Sequence, residues 1–208
     1  MLLYKSFMVN PLGVNCFVAY DDETLDAAII DPGMFYAQEC EEVAAFIADN
    51  DLHVSHILLT HGHFDHVMGV RWCAAEYGVT PLLHSADHRL AYDLERQTLF
   101  FMRRTLGATA PESLAAIADG DILRIGNVEM QVIHTPGHTP GGVCYYVPSA
   151  QLIFTGDTLF NNGVGRTDFE GGSAQTLFTS IRERLFTLPS ETKVLPGHGP
   201  STTIGDEM

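Results

Sequence analysis

The segment Thr60-His61-Gly62-His63-Phe64-Asp65-His66 carries four metal-type ligands within six positions, directly behind the short apolar run Ser55-His56-Ile57-Leu58-Leu59-Thr60. Such a run, bounded by polar residues, reads as a buried strand of an α/β protein, so the ligands sit at the strand's C-terminal end. Side chains two apart on an extended segment point the same way, so His61 and His63 can converge on one ion while the chain turns at Gly62. Asp65 and His66 are adjacent and diverge from each other, which suits a second ion nearby. The spacing therefore suggests two metals, against the plainer alternative of a polar loop with chance histidines.

Three more candidates follow apolar stretches and lie in Gly-rich turns: His138 in Thr135-Pro136-Gly137-His138-Thr139-Pro140-Gly141, Asp157 in Thr155-Gly156-Asp157-Thr158, and His198 in Pro196-Gly197-His198-Gly199. Each alone is an ordinary turn. Together they leave the same ends of strands, so all four loops can meet at one edge of the sheets. His134, four positions before His138 across Pro136, is better placed to brace a ligand than to be one. His53 and His56 read as surface and strand-edge residues, His84 and His88 as caps or surface groups with a substrate role as the alternative. Arg166 and Asp168 either anchor an acidic substrate or form a structural ion pair.

The elements that must position these residues follow from periodicity. Residues 14–20 and 27–30 read as an opening hairpin around Asp21-Asp22-Glu23, stopped by Asp31-Pro32-Gly33. Residues 37–49 carry Val43, Ala44, Phe46 and Ile47 at helical spacing among acids, an amphipathic surface helix. Residues 66–77 are helical in pattern and stop at Gly78, before a short strand over 80–84. The stretch 85–120 shows no strand pattern and is expected to be an inserted helical lid, with Phe100, Phe101 and Met102 beside Arg103 and Arg104. A second half repeats the scheme with strands over 122–125, 128–133, 143–147 and 152–155, a helix over 174–186 and a strand over 193–195. Two strand-rich halves with helices imply face-to-face sheets and outer helices in a single α/β domain spanning 1–208.

Composition narrows the class. The chain has 208 residues, long enough to bury a sizeable core, and a net charge of -15 from 26 acids against 11 Lys and Arg. That balance disfavours nucleic acid, whose binding rests on cations neutralising phosphates, and points to a small-molecule substrate. Cys16, Cys40, Cys73 and Cys144 share no CxxC spacing, so reduced structural thiols are expected. No signal-peptide core interrupts the N-terminus and no apolar run approaches the roughly 20 residues of a membrane span, so no membrane partner and a cytoplasmic location are expected. Arg89, Arg96, Arg103 and Arg104 make the lid the basic stretch of an acidic chain, which suits either a carboxylate-bearing substrate or a solvated helix face. Nothing bears on oligomeric state.

The ordered ligand set resembles the metallo-β-lactamase superfamily of metal-dependent hydrolases, over nearly the whole chain from Asn15-Cys16 to Pro196-Gly197-His198-Gly199-Pro200. Thr155-Gly156-Asp157-Thr158-Leu159-Phe160, followed by Gly165-Arg166-Thr167-Asp168-Phe169, is similar to the glyoxalase II-like branch, the hydroxyacylglutathione hydrolases. The resemblance implies a four-layer αβ/βα sandwich, one metal on His61, His63 and His138, a second on Asp65, His66 and His198, and a bridging Asp157. Asp65 and Asp157 are then the carboxylates of the catalytic machinery. Full glyoxalase II enzymes carry a C-terminal helical domain that helps bind glutathione. The sequence ends at Met208, just past the last candidate ligand, so no such domain is expected and the thiol portion of the substrate stays open.

Histidine-rich sites with a shared carboxylate suit two zinc ions, and the same donors accept iron or manganese. Even one Zn²⁺ brings the pKa of a bound water to about 7, so a bridging hydroxide is the expected nucleophile, attacking a thioester such as a hydroxyacylglutathione and releasing a thiolate. The absence of a GxSxG elbow agrees with there being no side-chain nucleophile. One alternative is a persulfide dioxygenase, a group that shares this fold and a similar Gly-Arg-Thr-Asp stretch, with a single iron on His61, His138 and Asp157. The other is a metal-binding protein without catalysis, whose lid closes the site.

Overall fold

The structure, a computed structural model, describes residues Met1–Met208. Its period-two burial explains its layers. In β2 (Val14–Asp21), Val14, Cys16 and Val18 face one way and Phe17 and Ala19 the other; in β3 (Asp26–Ile30), Ala27 and Ile29 oppose Ala28 and Ile30. Both faces are apolar because both are covered, as sandwich-core strands require. With β1 (Leu2–Val9), β4 (His53–Leu58), β5 (Leu82–His84) and β6 (Ala115–Ile117) they form one six-stranded sheet in the order β1-β2-β3-β4-β5-β6. The first three strands pair antiparallel and the last four parallel.

The second sheet contains β7 (Ile122–Ile125), β8 (Val128–His134), β9 (Val143–Val147), β10 (Leu152–Gly156), β13 (Lys193–Pro196) and β14 (Thr202–Thr203), in the order β14-β13-β10-β9-β8-β7. Phe17, Ile30, Leu58, Met130, Val132, Tyr145, Phe154 and Leu195 belong to the core between the sheets. Helices α1 (Ala37–Asp49) and α3 (Val70–Tyr77) cover the outer face of the first sheet, where Val43, Ile47 and Cys73 meet Val18, Ile29 and Ile57. Helix α6 (Ala174–Ser180), continued by a π-helical stretch Ile181–Leu185, covers the second through Leu177, Ile181 and Leu185 against Cys144 and Ile153. The result is the expected α/β four-layer sandwich. No helix is long and apolar enough to cross a membrane.

Three local expectations change. An additional strand, β1, precedes the hairpin; its burial pattern has exposed residues at most interior positions, as an edge strand does, so it carries little apolar periodicity. The helix expected over 66–77 is two helices, α2 (Phe64–Val67) and α3, separated at Gly69, whose N–H donates to the Pro32 carbonyl (2.8 Å). A Cβ at Gly69 would lie 2.7 Å from that same oxygen, so the chain must break where two backbones touch. The stretch 85–120 holds the expected helices α4 (His88–Tyr92) and α5 (Leu94–Met102), but ends in β6, which pairs parallel with β5. Ala-Ala-Ile is too short to show an alternation of its own; the neighbouring strand makes it a strand. Short elements β11 (Leu159–Phe160), β12 (Gly163–Val164) and α7 (Ile204–Glu207) complete the chain.

Candidate metal centre

The ligand loops leave the C-terminal ends of β4, β8, β10 and β13, and they do meet. His61, His63 and His138 form one group whose ligand atoms lie within 4.8 Å of one another, and Asp65, His66 and His198 form a second on the same measure. Asp157 stands between them. Its Oδ1 is 3.4 Å from His66 Nε2, while Oδ2 is 3.5 Å from His138 Nε2 and 3.8 Å from His198 Nε2. His198 Nε2 is 3.3 Å from Asp65 Oδ2, and His63 Nδ1 is 2.9 Å from His138 Nε2. A register shift between Phe154 and Gly156 in β10, against β13, bends the strand just before Asp157 and turns its carboxylate into the cluster. Gly197 is required by proximity, since a Cβ there would fall 2.6 Å from His66 Cε1.

Hydrogen bonds decide which ring nitrogen three of the histidines present. The carbonyl of Arg166 can only accept, so His138 Nδ1–H donates to it (2.6 Å) and leaves Nε2 bare. His66 Nδ1–H donates to Asp31 Oδ2 (3.0 Å), with the same effect. Thr60 Oγ1 donates to Asp31 Oδ2 (2.7 Å) and therefore accepts from His61 Nδ1–H (3.0 Å). Asp31 Oδ1 also accepts from the Thr60 N–H (2.7 Å), so one carboxylate orients ligands of both groups.

The residues fit a metal on physical grounds. His61 Nε2, His66 Nε2 and Asp157 Oδ1 are buried with no hydrogen-bond partner, and these three residues are mutually within ligand range. Two imidazole nitrogens and a carboxylate oxygen crowd together with at most one proton, on His66, among them, and a cation would satisfy all three. The electrostatics agree. Burial, and then the other imidazoles, hold His61 well below the ordinary histidine value, and burial with His138 pushes His63 down to about 3, so both stay neutral and able to ligate. Burial opposes charge on His66 too, but Asp157, Asp31 and Asp65 override it and raise its pKa well above the ordinary value. Burial would raise the carboxyls of Asp65 and Asp157; His66 above all, with His198, holds both below the usual carboxylate range. The pocket favours positive charge.

Several polar residues outside the ligand motifs support the site. Asp87, fully buried, accepts from the Gly62 N–H (3.0 Å), Thr139 Oγ1 (2.6 Å) and the Gly141 N–H (2.7 Å), tying the His61 loop to the His138 loop. Gln97 of α5 accepts from the Phe64 N–H (3.0 Å) and donates to the carbonyls of Gly62 (3.3 Å) and Leu90 (2.7 Å). Asn15 Nδ2 donates to the carbonyls of Pro196 (3.0 Å) and Gly199 (2.9 Å), bracketing His198. Sequence reading treated Asp31 only as the end of a hairpin; an acid directly after an apolar strand, the same placement as Asp157, was the available clue.

The remaining histidines and the Arg166–Asp168 pair lie outside the two ligand groups. His134 braces the His138 loop through Nε2 to the Pro140 carbonyl (2.9 Å) and stacks on His84 with centroids 4.3 Å apart. His88 Nε2 meets the Leu83 carbonyl. His53 is exposed and His56 bonds its neighbour Ser55. Arg166 and Asp168 pair with each other at 2.7 Å on the surface, with the guanidinium carbon 4.3 Å from the Phe169 ring centroid.

Residues 9–198 match the family described as the metallo-beta-lactamase superfamily. The chain belongs to the metallo-β-lactamase superfamily. Its sandwich superposes on the crystal structure of the BLEG-1 B3 metallo-β-lactamase with a TM-score of 0.87 at 35% identity, covering 99% of this chain and 96% of that one. A di-iron-bound form of TTHA1623 superposes with a TM-score of 0.85 at 34% identity, covering 98% and 96%. Hydroxyacylglutathione hydrolase GloC of Haemophilus influenzae is 38% identical over 194 residues, covering 93% of this chain and 89% of that protein. The shared metallo-β-lactamase fold is thus firm, while the names of its relatives diverge in substrate.

Proposed function

We propose that this protein is a dinuclear metal hydrolase of thioesters of the hydroxyacylglutathione class. His61, His63 and His138 would hold one ion, Asp65, His66 and His198 the other, and Asp157 both. The observation that carries the reading is Asp157 facing the two ligand groups at once, its Oδ1 buried and unpaired opposite His66 Nε2. The substrate class rests on the likeness to GloC and on the Gly156-to-Phe169 stretch. We take zinc as the metal from the donor set; the di-iron form of TTHA1623 keeps iron in play.

When bound, two such cations lower the pKa of a water between them and act as Lewis acids toward a carbonyl oxygen. The chain's own work is to position and to shield. Asp31, Thr60 and the Arg166 carbonyl hold the Nδ1 protons of His66, His61 and His138, so that each turns Nε2 toward the site. Phe101 and Phe169, with ring centroids 4.7 Å apart and 6.0 and 5.6 Å from His63, wall the His63 side against water. His198, whose side chain is 28% exposed against 0% for His66, shows that the cluster is reachable from solvent. Thioester hydrolysis consumes one water and yields a carboxylic acid and a thiol, and a thiolate leaves without a dedicated general acid.

A mononuclear iron on His61, His138 and Asp157 would leave the second group, Asp65, His66 and His198, unused, although its ligand atoms also lie within 4.8 Å of one another. Elemental analysis of the protein as isolated, paired with an assay on S-lactoylglutathione, tests the proposal. Two metal equivalents and turnover are expected, and Asp157→Ala or His63→Ala should abolish turnover in a folded chain. One iron with oxygen uptake on a persulfide would overturn it. So would bound metal without turnover on thioester, lactone, phosphodiester or β-lactam substrates, or an Asp157→Ala variant that keeps both metals and full activity.

A further inference from the structure

We propose that Arg103 and Arg104 form an anion-binding arm that selects substrates whose leaving thiol bears carboxylates; this rests on the thioester reading above. Arg71, Arg96, Arg124, Arg166, Arg182 and Arg184 each face a carboxylate within ion-pair distance. Arg89, Arg103 and Arg104 make no such pair, and all three lie on the segment beside the metal centre. All three are exposed, and they stay unpaired in a chain with 26 acids. Guanidinium forks match carboxylates in bidentate geometry.

Placement points the same way. Phe101, the α5 residue that reaches the His63 ring, lies two positions before Arg103 and three before Arg104. Two and three residues of chain span at most about 7 and 11 Å, so the Cα atoms of both arginines lie close to that of Phe101, and their long side chains can reach the Phe101–Phe169 wall. Arg103 ends α5 in the left-handed region (φ 57°), where glycine is the usual residue, so a bulky cation is kept at a position that penalises it. A thiol carrier of tripeptide size is about 10 Å long when extended. A thioester carbonyl at the ligand cluster therefore sets the carrier's carboxylates within range of the arm.

The test compares wild type, R103Q/R104Q and R103K/R104K on one acyl group carried by glutathione, by coenzyme A and by N-acetylcysteamine. For R103Q/R104Q, KM on the glutathione thioester should rise by about tenfold, the size of two exposed ion pairs, with kcat unchanged. The neutral N-acetylcysteamine thioester should be unaffected, and the lysine variant should recover part of the loss. In parallel, calorimetry with S-hexylglutathione, a thioether that cannot be hydrolysed, should show binding weakened by the same factor. Unchanged S-hexylglutathione binding, or an equal loss on the neutral thioester, would overturn the arm. An effect confined to the coenzyme A thioester would overturn the carboxylate assignment in favour of phosphate. If no thioester is turned over, the thioester reading fails, and the calorimetric comparison still decides the arginines.

Discussion

At the scale of single residues, the centre depends on which nitrogen of each imidazole is left bare. Asp31 controls this for two histidines, directly at His66 and through Thr60 at His61. An Asn at position 31 can turn an N–H toward His66 Nδ1, which would favour the tautomer with its proton on Nε2, the atom aimed at the metal site. Asp31→Asn should therefore weaken metal binding about 10- to 100-fold, the usual effect of losing a carboxylate behind a ligating histidine. Thr60→Val should disturb His61 most, and His66 only through the lost bond to Asp31 Oδ2. A chelator competition titration measures the affinities, and ¹⁵N shifts of His66 report its tautomer; unchanged affinity with an unchanged tautomer would refute the role. None of this was readable from local spacing, because Asp31 lies 29 positions from Thr60 and 35 from His66. The candidate ligands His61, His63, Asp65 and His66 were legible, because four such residues stand together at one strand end.

At the scale of elements, the parts that hold the centre are fastened by buried polar side chains. Gln97 carries α5 onto the His61 loop, and Gln97→Leu would leave the Phe64 N–H and the Gly62 carbonyl without their partner. The cost should be about 1–3 kcal/mol, lowering Tm by roughly 2–4 °C per kcal/mol for a chain of this size. Amide exchange at 62–66 should quicken more than exchange in β9, and equal protection in both would argue against the clamp. Asp21 does a comparable job between sheets. At the end of β2 it accepts from the Asn127 N–H of the β7–β8 turn (2.9 Å), and that bond above all pulls its pKa down to about 2. A carboxyl whose folded pKa lies below its unfolded value stabilises above the unfolded value and stops doing so as pH falls through the folded one. The Tm gap between wild type and Asp21→Asn should thus be full above about pH 4 and close as pH approaches about 2; a gap independent of pH would show that the charge is irrelevant. Strands such as 143–147 and 152–156 could be read from the chain because both faces are buried in apolar layers. The edge strand β1 and the three-residue β6 could not, because one is largely exposed and the other exists only by pairing with β5.

At the scale of the whole molecule, the fold concentrates Asp31, Asp65 and Asp157 with five histidines in a protein already at -15. Removing a cation from that centre should destabilise the entire sandwich, since its loops join both sheets. Saturation at 100 times Kd is worth about 2.7 kcal/mol, so a chelator should lower Tm by roughly 5–10 °C, and added Zn²⁺ should restore it. A melting curve indifferent to both would count against a resident metal. The chain alone determined the alternating strands, the ligand types and the ends of strands on which they stand, because period-two burial and neighbouring ligands are local properties of a sequence. Only the tertiary structure decided which ligands share an ion's reach and how Asp157 stands between the groups. It also decided that Asp31, Asp87 and Gln97 brace the candidate centre, and that Arg103 and Arg104 are left exposed without an ion-pair partner. Those depend on contacts between residues far apart along the chain, and such contacts exist only once the two sheets have closed on each other.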